Sequence, residues 1–216
     1  MAHNPTAEFY ELLNQAYQHF NNRLFEDQLP WCMLTLQRSR NTMGYFSPER
    51  WVDGKGYKAH EIALNPAYFA RHRVIDVLQT LVHEQSHLWQ HLHGRHRSRS
   101  GYHNKEWAHK MESIGLVPSS TGEVGGGRTG QSMSDYPEPG GRFLEACMAL
   151  CQGGYQLKWI DTEPAWQPSS QPRFKNEDDE MLVELLEHAP ALLRPVTTSN
   201  ASEEINWEPP DKTKAL

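Results

Sequence analysis

Hydrophobic and polar positions repeat along this chain with two periods, and the longest helical run falls over residues 74–92. Val74, Leu78, Leu81, Leu88 and Leu92 recur three, four or seven apart, with Val77 and Val82 beside them. That is the stripe of an amphipathic helix beginning near Arg73 and stopping near Gly94. An earlier stripe of Phe9, Leu12, Leu13, Ala16, Tyr17, Phe20 and Leu24 follows Asn4-Pro5, which reads as a helix start with Pro at the first helical position. Asp27 to Pro30 breaks it. Shorter apolar runs predict strands over residues 31–37, 43–46 and 60–65, and the polar excursion 47–58, with Asp53-Gly54-Lys55-Gly56, predicts a turn. After a basic loop, residues 103–114 predict a helix with Trp107, Met111 and Ile114 on one face and Gly115 as its stop. Residues 117–142 are rich in Gly and Ser and read as a long loop. A short helix over 143–151 and a last strand over 155–160 follow.

From Asp161 onward Pro, Ser and acidic residues dominate. The chain therefore divides into a domain over residues 4–160, with its core at 6–115, and a mostly disordered tail over 161–216. A transient helix over 178–188 carries Met181, Leu182, Leu185 and Leu186, which can dock on the domain or on a partner the sequence does not name.

Charge sharpens this division. The net charge of −6 hides an asymmetry: residues 1–117 carry 13 basic against 11 acidic side chains, residues 118–216 carry 8 against 16, and eleven of the 12 His fall in the first part. The chemistry belongs to the N-terminal half. Three Cys without a C-x-x-C pair argue against a disulfide framework and a zinc ribbon. No apolar leader opens the chain and no 18-residue apolar run follows, so the expectation is a cytoplasmic protein with no membrane partner.

The helix over 74–92 carries His83-Glu84-Gln85-Ser86-His87. At about 100° per residue the two imidazoles lie about 40° apart, roughly opposite the apolar stripe. They can hold one metal ion, with Glu84 in reach of a water beside it, as in the His-Glu-x-x-His pattern of zinc hydrolases. With 12 His and 19 Glu in 216 residues, chance supplies about 0.06 such matches, so the motif is suggestive and its helical setting strengthens it. A catalytic zinc site needs a third protein ligand. His93 rotates about 240° from His87 and points away, and three ligands on one straight helix would span about 12 Å, which sets His91 aside. His91, His93 and His96 are most simply surface residues. His103, Glu106 and His109 on the next helix stay open as third ligands, Glu106 also having a role as a helix cap.

The order of these pieces resembles the SprT-like zinc metalloproteases, the Spartan-related family, over about residues 6–115. The resemblance rests on Asn22-Arg23-Leu24-Phe25, Met43-Gly44-Tyr45-Phe46, His60-Glu61-Ile62-Ala63-Leu64-Asn65, Thr80-Leu81-Val82-His83-Glu84-Gln85-Ser86-His87 and Gly101-Tyr102-His103-Asn104-Lys105-Glu106-Trp107. It implies an α+β, minimal zincin-like metalloprotease domain: a small three-stranded sheet packed with an N-terminal helix, the His-Glu-x-x-His helix and the helix after it. It also implies Zn2+ held by His83, His87 and His103, Glu84 as the catalytic carboxylate, and protein substrates associated with or crosslinked to DNA. Two departures stand out. Gln85 occupies a position often Met in the family, and only Cys147 and Cys151 fall where many bacterial members carry a Cys-rich zinc ribbon.

The chemistry expected is zinc-assisted peptide hydrolysis with Glu84 as proton carrier. Tyr136 is the candidate to stabilise the oxyanion, and an edge strand over 60–65 is the candidate to pair with an extended substrate. Arg95, Arg97 and Arg99 are the candidate contacts to single-stranded or nicked DNA. The rivals are a non-catalytic adaptor in which zinc only closes the fold, and a metal-dependent hydrolase of another substrate.

Overall fold

The computed structural model describes residues 4–40, 42–96, 98–159, 161 and 192. The N-terminal helix α1 spans Pro5–Phe25, starting where Asn4 accepts the Ala7 N–H at 3.1 Å and ending at Glu26 in a left-handed conformation. Phe9, Leu13, Ala16, Tyr17, Phe20 and Leu24 are its buried face, as the stripe predicts. Strands β1 (Met33–Leu36), β2 (Gly44–Val52) and β3 (Lys58–Leu64) form one sheet in the order β1-β3-β2. β1 runs parallel to β3, with Met33 opposite Glu61, and β2 runs antiparallel to it, with Gly44 opposite Leu64.

Two expectations change here. The polar excursion 47–58 is not all turn: β2 and β3 continue through it as a hairpin arm, past a register shift between Ser47 and Trp51 where Glu49 takes a positive φ of 49°. The outer arm of β2, from Pro48 through Val52, is exposed, so it carries no apolar alternation to read. Residues 60–64 are not an edge strand either. β3 is the middle strand, buried from Glu61 to Leu64, and β2 is the edge.

A 3-10 turn over Pro66–Arg71, capped by the Asn65 side chain on Ala67 N–H, leads into helix α2, Val74–His93. Arg73 donates both its backbone N–H and its guanidinium to Asp76, pinning the first turn. α2 is buried almost all round and is the axis on which the other elements pack. Leu92 departs from the stripe: at 40 % exposure it lies on the last turn, beyond the core. Gln85 is buried and donates through Nε2 to the Tyr17 carbonyl of α1 at 3.0 Å. This links the two longest helices, whereas a methionine would only pack there.

β4 (Tyr102–His103) precedes helix α3, Lys105–Ser113, whose N-cap Asn104 accepts the Trp107 N–H. Gly115 ends α3 with a φ of 83°, and a Cβ there would meet Arg142 N at 2.8 Å, so glycine is required twice over. Residues 117–142 are not a structureless loop. They contain most of β5 (Leu116–Ser119), and β6 (Gly130–Gln131) and β7 (Ser134–Pro137). β5 pairs antiparallel with β7 and β4 antiparallel with β6. Strands of two to four residues paired across such distances leave little periodic signal. Helix α4, Arg142–Gln152, packs on α1, with Phe143 stacked on Phe20 at 5.9 Å. Residues 155–159 form no strand. Tyr155 and Leu157 alternate into the core, while Lys158 and Trp159 donate to Glu8 of α1. The alternation is real, but side chains on α1 take the place of a ladder.

The result is an α+β domain of four helices and small sheets among the described residues. Cys32, Cys147 and Cys151 are free thiols. No described helix is long and apolar enough to cross a membrane. Beyond residue 160, Asp161 pairs with Arg38 at 2.9 Å and Leu192 is buried in the core. The helix expected over 178–188 lies outside the described residues.

Candidate metal centre

Two adjacent turns of α2 present His83, Glu84 and His87, and β4 brings His103 across to meet them. The Nε2 of His103 lies 3.0 Å from that of His87 and 3.3 Å from that of His83. One ligand atom from each of the three His falls within 4.8 Å of the others, and among the described residues no further His, Cys, Asp or Glu joins the group. Below the three imidazoles sits Trp107, fully buried, its ring stacked on His87 and edge-on to His103 at 4.4 Å.

Hydrogen bonds to the outer ring nitrogens decide where the lone pairs point. His83 Nδ1 lies 2.8 Å from Asp135 Oδ2, and His103 Nδ1 lies 3.3 Å from the Gly130 carbonyl. A carboxylate and a carbonyl only accept, so each Nδ1 carries a proton, which in the neutral imidazole turns the Nε2 lone pair inward. Two such lone pairs 3.3 Å apart repel unless a cation lies between them. A tetrahedral ion with bonds near 2.05 Å separates its nitrogen ligands by about 3.3 Å; the His83–His103 pair matches this at 3.3 Å, and the His87–His103 pair is shorter at 3.0 Å. Burial, and then the neighbouring imidazoles, hold His87 well below the usual histidine value. Burial, and then His83, push His103 down to about 4, against the opposing effects of Gly130 and Asp135. Both are neutral near pH 7, as a metal ligand must be.

Glu84 is buried beside them and accepts the Phe46 N–H from β2. Burial pushes its carboxyl up to about 7; Asp135 adds to this, and His83 opposes it. Strand β2 can come this close because of Gly44. A Cβ at that position would lie 2.9 Å from both the Ala63 carbonyl and Thr80 Cγ2, and 3.4 Å from Glu84 Cγ. The edge of β2 and the face of α2 thus line one open cleft of about 920 Å³, with Glu84, His83, His87 and His103 on its wall.

The other sequence candidates separate. Glu106 faces away from the cluster and accepts the Arg95 and His96 N–H groups at 2.7 and 3.0 Å, so it ties down the loop after α2. His109 lines a different groove, beside Trp89 and Lys110. His93 Nε2 meets the Gln28 carbonyl and His96 is exposed, as expected. His91 lines the far end of the cleft, its ring against those of His60 and Phe46. Tyr136 is not part of the cleft wall: it pairs with Val117 in the β5–β7 ladder, while Tyr45 and Tyr102 do line the cleft. In the basic loop, Arg99 lies at the cleft and over the Tyr102 ring at 5.1 Å, Arg95 is exposed outside it, and Arg97 lies outside the described residues. Sequence reasoning missed Asp135 and Gly130 altogether. The one available signal was the alternation of Met133, Asp135 and Pro137, buried, with Ser134 and Tyr136 between them.

A profile of the SprT-like family matches residues 13–124, more than half of the chain. The chain is also 48 % identical over 59 residues to a Salmonella typhimurium protein described as "Uncharacterized protein in mucB 3'region", a match covering 27 % of this chain and 80 % of that protein. No solved structure matches. The matched region contains the whole of α2, β4 and α3, and with them His83, Glu84, His87 and His103: the chain belongs to the SprT-like family.

Proposed function

We propose that this protein is a zinc-dependent metalloendopeptidase with a zincin-like active site. The observation that carries the reading is the convergence of three imidazoles, His83, His87 and His103, beside the buried carboxylate of Glu84 in an open cleft. An all-imidazole donor set suits zinc among other transition metals, and the His-Glu-x-x-His spacing narrows it to zinc. Three ligands rather than four among the described residues favour an enzyme over a zinc-closed adaptor, because catalysis needs a position for water or substrate.

When bound, zinc supplies Lewis-acid chemistry: it polarises the scissile carbonyl and makes a water acidic enough to lose its proton near neutral pH. Glu84 accepts a proton from the attacking water and returns it to the leaving amine, and its buried place beside the three imidazoles puts it in position for both. Trp107 and the buried face of α2 hold the imidazoles in place from below. The edge strand β2 pairs with the backbone of an extended substrate, which gives recognition with little sequence preference. Tyr45 and Tyr102 replace Tyr136 as candidates to steady the oxyanion, since they line the cleft.

The family relationship supports extending the proposal to proteins bound or crosslinked to DNA. Arg99 at the cleft, with the exposed Arg95 near it in sequence, would supply phosphate contacts. The test is cleavage of a protein substrate with and without single-stranded DNA, comparing wild type with Glu84→Gln at matched zinc content. Cleavage requiring both Glu84 and DNA supports the whole reading, and cleavage without DNA leaves a general zinc protease. Zinc binding with no cleavage under either condition refutes the peptidase in favour of the adaptor.

A further inference from the structure

We infer that Asp135 is a positioning residue for the metal centre: its carboxylate fixes the tautomer and orientation of His83, while Gly130, on the same returning segment, does so for His103. The inference rests on the three-histidine metal site proposed above, and concerns residues that neither the motif nor the sequence comparisons single out.

Asp135 sits on β7, opposite Pro118 of β5, and is 2 % exposed. A carboxylate so buried is costly unless it is well partnered, and the β5–β7 ladder, a backbone feature, does not call for one at this position. What Asp135 does contact is α2. Gln79, one turn before His83 on the same face, donates through Nε2 to Asp135 Oδ1 at 2.6 Å and to the Asp135 carbonyl at 2.8 Å. With Oδ1 held in this way, Oδ2 meets His83 Nδ1 at 2.8 Å. The helix that carries the imidazole therefore also grips the group that orients it. Five residues earlier, the Gly130 carbonyl lies 3.3 Å from His103 Nδ1, and Gly130 is the register partner of His103 in the β4–β6 pair. Between them the core side chain of Met133 anchors the segment.

The two acceptors perform one task. Each leaves its histidine with the proton on Nδ1 and a lone pair on Nε2 aimed at the shared point, before any ion arrives. Without them an imidazole in this buried setting would populate the other tautomer, with Nε2–H pointing at the place the metal must occupy. The Gly-rich stretch over 117–142, which in the sequence resembles a spacer, is on this reading the part that keeps two of the three ligands ready for metal.

The test uses the full chain, stripped with a chelator. Imidazole nitrogen NMR of the metal-free wild type should show His83 and His103 as Nδ1–H tautomers. Zinc affinity, measured by competition with a chelating dye, should fall about 10- to 100-fold in Asp135→Asn, and Asp135→Glu, which keeps the charge and the acceptor, should recover part of the loss. Unfolding of each stripped variant separates a folding defect from a binding defect, and the wild-type NMR result stands even if Asp135→Asn fails to fold. A wild-type His83 found as the Nε2–H tautomer, or a folded Asp135→Asn binding zinc within about twofold of wild type, overturns the inference. Wild type that binds no zinc overturns the metal site and the inference with it, whereas tight wild-type binding unaffected by Asp135→Asn overturns the inference alone.

Discussion

Replacing Gln85 by methionine should leave the protein as stable as wild type or more so, by about 1 kcal/mol, although it removes a buried hydrogen bond. Gln85 is fully buried between α2 and α1, and its Nε2 donates to the Tyr17 carbonyl at 3.0 Å. Its Oε1 is buried without a hydrogen-bond partner among the described residues. Losing the amide donor forfeits a net contribution of about 1 kcal/mol, and the Tyr17 carbonyl, inside α1, keeps its place in the helical ladder. Removing the unpaired oxygen recovers a desolvation penalty of about 1–3 kcal/mol. Methionine is close to glutamine in volume and flexible enough to fill the slot, so strain adds little. In a domain of this size 1 kcal/mol moves the unfolding midpoint by about 2–4 °C. Thermal and urea unfolding of the two stripped chains reads it directly, and peptidase activity should be unchanged, because Gln85 is not part of the cleft wall. A destabilisation of 1 kcal/mol or more, on the order of a single net hydrogen bond, would refute the reasoning. It would mean that Gln85 earns its place by clamping α1 to α2.

Three further outcomes follow from the same structure. Burial pushes the Asp76 carboxyl up, but His72 and Arg73 outweigh it and hold it below its usual value of 3.8. A depressed carboxyl contributes stability that is full above the unfolded value and lost as pH falls through the folded one. The gap in unfolding midpoint between wild type and Asp76→Asn, about 1–3 kcal/mol at neutral pH, should therefore close below about pH 4; a gap that is constant or widens towards acid contradicts the assignment. Glu84→Gln should lose at least about 10²-fold in peptide hydrolysis while binding one zinc as wild type does, as read by initial rates at matched metal content. Zinc at 100 times its Kd should stabilise the folded chain by about 2.7 kcal/mol, so chelation should lower the unfolding midpoint and zinc should restore it.

How much of this was legible in the sequence follows from the range of the forces involved. α1, α2 and α3 could be read because each carries its own signal: a 3.6-residue stripe, Asn4-Pro5 at one start, Gly94 and Gly115 at the ends. His83, Glu84 and His87 came from one helix turn and needed only geometry. His103 was the leading one of three candidates on the next helix, and the structure brings that one, not Glu106 or His109, to the cluster. The hairpin arm of β2 was hidden because a ribbon exposed to solvent has no face to mark. Residues 155–159 misled for the opposite reason: Tyr155 and Leu157 alternate into the core, and alternation reports half-burial without saying whether a strand or a helix lies alongside. Asp135 was harder to read: it lies 52 residues from the histidine it meets, and the short alternation around it marks a strand without marking a partner for His83.

An open zinc site made by three histidines is read out by X-ray absorption at the zinc edge of the stripped and reloaded full chain. One zinc per chain with three imidazole nitrogens and a fourth position not filled by the protein is expected, and loss of that site in His103→Ala. Four protein ligands, or an unchanged site in His103→Ala, would contradict it.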